Sequence, residues 1–183
     1  PSTPTGFIFE WVTTLANANG GQGTWTNTTE NMIPAKGYIV RAPNGFTNAS
    51  TSPLTTNFIG IPNNGIYSPT IYRGTDYTGT GTQGIPREIT DDNWNLIGNP
   101  YPSEVDWNLV SASLSGPKVY YVYDYQSSSY KFRNATTNTG TASRYIAHSQ
   151  GFLVKVNVSG QNLVFQESHK TNTGAAFERS EDA

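Results

Sequence analysis

Apolar and polar residues alternate along this chain with a period of two, in short bursts, and seldom with the period of a helix. Phe7, Phe9 and Trp11 interleave with Ile8, Glu10 and Val12, the pattern of a strand with two unlike faces. Comparable runs predict strands at 37–42 (GYIVRA), 57–61, 66–72, 94–98, 118–125, 130–133, 151–157 and 162–166. Turn-forming clusters separate them, PNNG at 62–65 and QSSS at 126–129 among them. The stretch LANANGGQGTWTNTT, 15–29, has no periodicity and reads as a loop. One helix is expected, over 103–109, with Ser103 as its cap, Asp106 at capping-box spacing and Pro102 stopping the strand before it. Short strands without long helices between them predict an all-β domain, an antiparallel β-sandwich or jelly roll with a short helix after the Pro100 and Pro102 corner.

Two segments echo one another. MIPAKGYIVRA at 32–42 aligns without gaps to IAHSQGFLVKV at 146–156. In each a glycine, Gly37 or Gly151, follows a short turn and precedes an aromatic that starts a strand. The expectation is one strand-entry device used twice, with a positive φ at the glycine where a Cβ would obstruct it. Between them lies WNLIGNPYPSEVDW, 94–107, a strand that must end at Gly98 and Asn99 because each residue before a proline is held extended or in a turn. Of the two X-Pro bonds, Tyr101-Pro102 is the better candidate for a cis peptide. As structure, the stretch is a rigid corner with Trp94, Tyr101 and Trp107 packed around it. As a site, it would set Tyr101, Trp107, Glu104 and Asp106 on an exposed ledge for a sugar.

Composition narrows the chemistry. The 183 residues suit one domain, which buries roughly 70% of the surface its unfolded chain exposes. Boundaries are expected at 1–6 (linker), 7–167 (one β-sandwich domain) and 168–183 (a flexible tail or the start of a following segment). Charged residues are 13% of the chain and the formal net charge is -2, so no basic face awaits nucleic acid. Cysteine is absent, which removes disulfides, thiolate nucleophiles and thiolate metal sites. No apolar run approaches the roughly 18 residues of a membrane helix, so membrane insertion is not expected. The opening PSTPTG carries neither an initiator Met nor a signal peptide, so the chain reads as one monomeric module cut from something longer.

Catalytic and metal motifs are scarce. The two histidines, His148 and His169, lack partners at ligand spacing and read as surface residues. GxSxG does not occur, and GTDYTGTGTQG at 74–84 lacks the Lys-Ser/Thr of a phosphate loop. Acids that could form a glycosidase pair include Glu10, Glu88, Glu104, Asp106 and Asp124, with only distance in their favour. Asp91 and Asp92 read as a solvated turn, weak calcium binding being the sharper alternative; no other cofactor or metal is implied. The richest surface signal is VYYVYDYQSSSYKFR, 119–133. Strand alternation puts Val119, Tyr121, Tyr123 and Tyr125 on one face and Tyr120, Val122 and Asp124 on the other. Tyrosines beside Lys131 and Arg133 make a candidate platform for a polysaccharide or a cell-surface protein; cross-strand packing is the plainer reading.

WNLIGNPYPSEVDW, with MIPAKGYIVRAP before it, IPNNGIYSPTIYRG between and YIAHSQGFLVKV after, resembles modules of large secreted proteins exported by the type IX secretion system of gliding Gram-negative bacteria. Order and spacing match over roughly 25–170. The resemblance implies a module ahead of a C-terminal sorting domain, located outside the cell or on its outer surface, and carries over no catalytic residue. The chain departs from it at His148, where those modules favour proline. The resulting expectation is a non-catalytic extracellular module for adhesion or carbohydrate binding. Its rivals are a spacer beside the sorting domain and a fragment of a polysaccharide-degrading enzyme. Candidate contacts are Tyr101, Trp107, Tyr121, Tyr123 and Tyr125.

Overall fold

The structure is a computed structural model, described here for residues 8–16, 22–40, 61–74, 93–124 and 127–174. The strands are β1 (Ile8–Ala16), β2 (Gln22–Asn27), β3 (Ile39–Val40), β4 (Thr70–Ile71), β5 (Trp94–Gly98), β6 (Glu104–Asp106), β7 (Val119–Asp124), β8 (Ser129–Asn134), β9 (Thr139–Gly140), β10 (Tyr145–Ile146), β11 (Gly151–Lys155), β12 (Gln161–Asn162) and β13 (Lys170–Thr171). Among the described residues the single α-helix, α1, is Trp107–Val110. All the pairings are antiparallel, and the fold is the expected all-β sandwich. The main sheet runs β5-β11-β7-β8-β9. Its inner residues Ile97, Phe152, Val154, Tyr120 and Val122 join one buried cluster with Trp107, Val110, Leu114, Ile71, Val105, Leu163 and Phe165 from the facing elements. Trp107 stands edge-on to Tyr120 and Phe152 at 5.3 and 5.8 Å between ring centres.

The echoed segments flank β5. On one edge Gly37 donates to the Leu96 carbonyl and Gly98 to the Ala35 carbonyl; on the other β11 pairs from Gly151 opposite Gly98 to Lys155 opposite Trp94. Each is delivered by the same turn, closed by Lys36 N–H to Ile33 O (3.1 Å) and Gln150 N–H to Ala147 O (3.3 Å). One expectation needs correcting. Positive φ falls two residues before the glycines, on Ala35 (65°) and Ser149 (57°), the third residue of each turn. Gly37 is needed for space: a Cβ there would lie 2.6 Å from Leu96 Cγ and 2.8 Å from the Ile97 carbonyl oxygen. The second turn keeps its closing bond with His148 where the first has Pro34, so proline is not what makes it.

The corner after β5 is held by one side chain. Asn99 Nδ2 donates to the carbonyls of Ser103 (2.8 Å), Ala147 (3.0 Å) and Ile146 (3.3 Å), and its Oδ1 accepts from Tyr101 N–H (3.1 Å). Asn63 Nδ2 donates to the Pro100 carbonyl. Among the described residues every peptide bond is trans, Tyr101-Pro102 included. Ser103 does not cap the helix. Residues 104–106 are drawn into a sheet between β10 and β13, and Asp106 caps α1 through Asn108 N–H while holding Arg144 by two hydrogen bonds. Two further expectations fail for the same reason, that strand pairing overrides weak local pattern. β2 lies within the supposed loop 15–29, opposite β1, with Trp25 across from Trp11. The domain also does not stop at 167, since β13 pairs with β6 and Thr173 bonds Glu104 through both its N–H and its hydroxyl.

His169 immediately precedes this last strand, at the end of a 3-10 turn, Glu167–His169. It is 7% exposed, contrary to a surface placement, while His148 is exposed as expected. Its Nδ1 has no hydrogen-bond partner among the described residues. Burial lowers its pKa, against smaller opposing effects of the Val164 backbone and the Asp106 charge.

Replacing Asn99 with Ala removes at once a donor to three carbonyls and the acceptor of Tyr101 N–H, and is expected to cost about 2–4 kcal/mol, read as a lower urea midpoint at unchanged slope. A loss under about 1 kcal/mol would mean that water replaces the amide. For His169 the folded state favours the neutral ring. Its contribution is therefore complete above the unfolded pKa of about 6.5 and is lost as pH falls below it. Urea melts between pH 7 and 5 should show this loss, and His169→Gln should flatten the part due to this residue.

Candidate functional site

The outward face of the main sheet carries the tyrosine row as the alternation predicts. Tyr121 and Tyr123 face outward and Tyr120 and Val122 inward; Tyr125 lies outside the described residues. Pairing with β8 places Tyr121 opposite Phe132 and Tyr123 opposite Tyr130. Ring centres are 6.3 Å apart in the first pair, tilted by 37°, and 5.3 Å in the second, at 70°. Trp94 of β5 extends the surface, edge-on to Tyr121 at 5.0 Å, with the Lys155 ammonium 5.1 Å from its ring centre. Tyr123 and Tyr130 are 50% and 56% exposed and Phe132 is 38% exposed, whereas Tyr121 is half-buried among these neighbours. Among the described residues of this face, Tyr123 and Tyr130 are thus the most exposed aromatics.

Two parts of the sequence expectation change. Lys131 and Arg133 pair opposite Val122 and Tyr120 and so point away from the tyrosines. Lys131 lies 3.6 Å from Asp124, and Arg133 bonds Asn138. The cation beside the aromatic face is Lys155. Tyr130 and Phe132 were legible from the alternation of YKF itself, but Trp94 and Lys155 come from strands remote in sequence and join the face only through register.

Tyr101 and Trp107 do not form a ledge. They are 1% and 0% exposed, packed where the corner meets the core. The Tyr101 hydroxyl donates to the Gly65 carbonyl at 2.6 Å, and Trp107 Nε1 to the Lys118 carbonyl at 3.0 Å. Burial, with the Glu167 charge and Tyr67 adding to it, pushes the Tyr101 phenol up to about 12. The acids expected beside these rings are engaged inside the fold, Glu104 with Thr173 and Asp106 with Arg144. Asp91, Asp92 and Glu88 lie outside the described residues. No group of three His, Cys, Asp or Glu that could hold a metal occurs among those described.

A cleft of about 470 Å³ opens at the other edge of β5. Its walls are residues 11–14 of β1, the turn 33–36, residues 67–70 with Tyr72, and residues 95–97. Trp11 is fixed by Nε1 to the Trp94 carbonyl (2.8 Å), and Thr13 Oγ1 donates to the same oxygen (2.6 Å). The Asn95 amide is fully engaged with Tyr72, accepting from its N–H and donating to its carbonyl. Lys36 pairs with Glu10, and burial lowers its pKa. Among the described residues no carboxylate or histidine lines the cleft.

A family model described as a domain of unknown function, DUF8693, matches residues 1–113. No curated protein and no solved structure matches the chain. The matched span ends just after α1, yet β5 has β11 as its strand neighbour, and Trp107 takes its indole partner and two ring contacts from residues beyond 113. A fragment 1–113 is therefore expected to lack cooperative unfolding and dispersed amide resonances, while 1–174 retains both; a folded 1–113 fragment would show that the early sheet stands alone. With the match covering more than half of its length, the chain belongs to the DUF8693 family.

Proposed function

We propose that this chain is a non-catalytic binding module of a secreted or cell-surface bacterial protein, and that the outward face of its main sheet holds a polysaccharide. The observation that carries this reading is the half-exposed pair Tyr123 and Tyr130, continued inward by Phe132, Tyr121 and Trp94. Tyrosine offers a ring for the apolar face of a sugar and a hydroxyl for its edge, at small entropic cost. The rings are inclined to one another, so the surface is ridged. That suits a soluble chain whose successive sugars turn, and suits a flat fibre poorly. Export by the type IX route rests on the resemblance of the GNPYPS-centred segments to modules of that system.

A structural spacer is the second reading, favoured by the corner itself. Its aromatics are buried and its polar side chains Asn99, Glu104 and Asp106 are bonded within the fold. The two readings part on the outer face, which a spacer does not use.

A glycan array probed with the purified chain beside a Tyr123→Ala/Tyr130→Ala variant of matched melting temperature tests this. Binding by the parent and a drop of roughly tenfold or more in the variant is expected from the loss of two stacking rings. Absence of binding across neutral, acidic and aminated polysaccharides, or equal binding by both proteins, removes the glycan reading and leaves the spacer.

A further inference from the structure

The cleft beside β5 has features that the outer face lacks. Its volume of about 470 Å³ falls within the roughly 300–1,000 Å³ of small-ligand pockets. Trp11, Tyr67 and Tyr72 supply aromatic walls, and Ile33, Pro34, Leu96 and Ile97 add aliphatic ones. The frame is stiff where it meets β5, because Trp11, Thr13, Asn95 and the Tyr72 backbone are tied together by hydrogen bonds.

The polar groups divide into spent and unspent. The Trp11 indole N–H and the Asn95 amide are committed to protein. The hydroxyls of Thr14, Ser68 and Tyr72 make no hydrogen bond with protein among the described residues, and all three residues are exposed. Charge divides in the same way. Among the described residues of the lining Lys36 is the one that is charged, and Glu10 already neutralises it. An anionic ligand would have to compete with Glu10, and a cationic one would find no acid among the described lining residues. Rings with apolar faces, spare hydroxyls and no uncompensated charge match an uncharged polyol.

We propose that this cleft binds the end of a neutral glycan, one or two sugar rings, with Trp11 and Tyr72 against its apolar faces and Thr14 and Ser68 bonding its hydroxyls. The proposal does not depend on the outer sheet face. A cleft takes a chain end, whereas an open sheet surface takes the middle of a chain.

The test is an amide and indole NMR titration of the whole chain with maltose, cellobiose, lactose and a mannobiose at millimolar concentration, with glucuronic acid as a charged control. The expected result is a shift of the Trp11 indole and of Tyr72 with at least one disaccharide. Tyr72→Ala should weaken it roughly tenfold. Ser68→Ala, which removes only an exposed hydroxyl, should weaken it by a smaller factor. Tyr123→Ala/Tyr130→Ala should leave it unchanged, which separates this site from the sheet face. The proposal is overturned by no shift with any disaccharide, by tighter binding of glucuronic acid, by shifts confined to the outer face, or by full affinity in folded Tyr72→Ala.

Discussion

Asn99 brings one short amide to a place where three carbonyls and a backbone N–H converge. At 6% exposure it has little recourse to solvent, and its amide is spent on the oxygens of Ser103, Ile146 and Ala147 and the N–H of Tyr101. What it joins explains why so much follows. Ser103 leads into β6, Ile146 ends β10, and Ala147 opens the turn that launches β11 back along β5. The two sandwich layers meet at this side chain. Pro100 and Pro102, which contribute no backbone donors, then let the chain cross between layers without adding demands of their own.

The same economy runs along β5. Both neighbours arrive through matching turns, and both approaches meet at glycine: Gly98 lies beside Lys36 on one side and opposite Gly151 on the other. A Cβ at Gly98 would stand 2.8 Å from the Lys36 carbonyl oxygen. The N-terminal sheet is thereby locked to the main one, with Trp11 and Thr13 both bonding the Trp94 carbonyl beside it.

Strands that carry their own amphipathic pattern, β1, β5, β7, β8 and β11, were legible in the sequence, and so was the echo that frames β5. Elements that exist only because a partner is there were not. β13 is two residues of ordinary polar sequence, and β6 has the acid spacing of a helix start, yet both form because each completes the other. Parity told Tyr120 from Tyr121 correctly, since alternation is a local property. It could not tell that Tyr101 and Trp107 are interior, because no period runs through a proline corner. The cleft was not legible either: its walls come from four separated stretches, and only the register of β5 with the turn before β3 brings them together.

The echo has a consequence for the order in which the chain becomes whole. Synthesis delivers the first flank of β5, residues 35–37, before β5 itself, but the second flank begins only at Gly151. Until then β5 would present an open edge and the Asn99 amide would lack Ile146 and Ala147. The native pairing is therefore dominated by contacts distant in sequence, and folding should be slow, with β5 flanked on both sides only once residues 151–155 are present. Until that strand arrives, the segment from 35 to 99 stays open to any factor that acts on extended polypeptide.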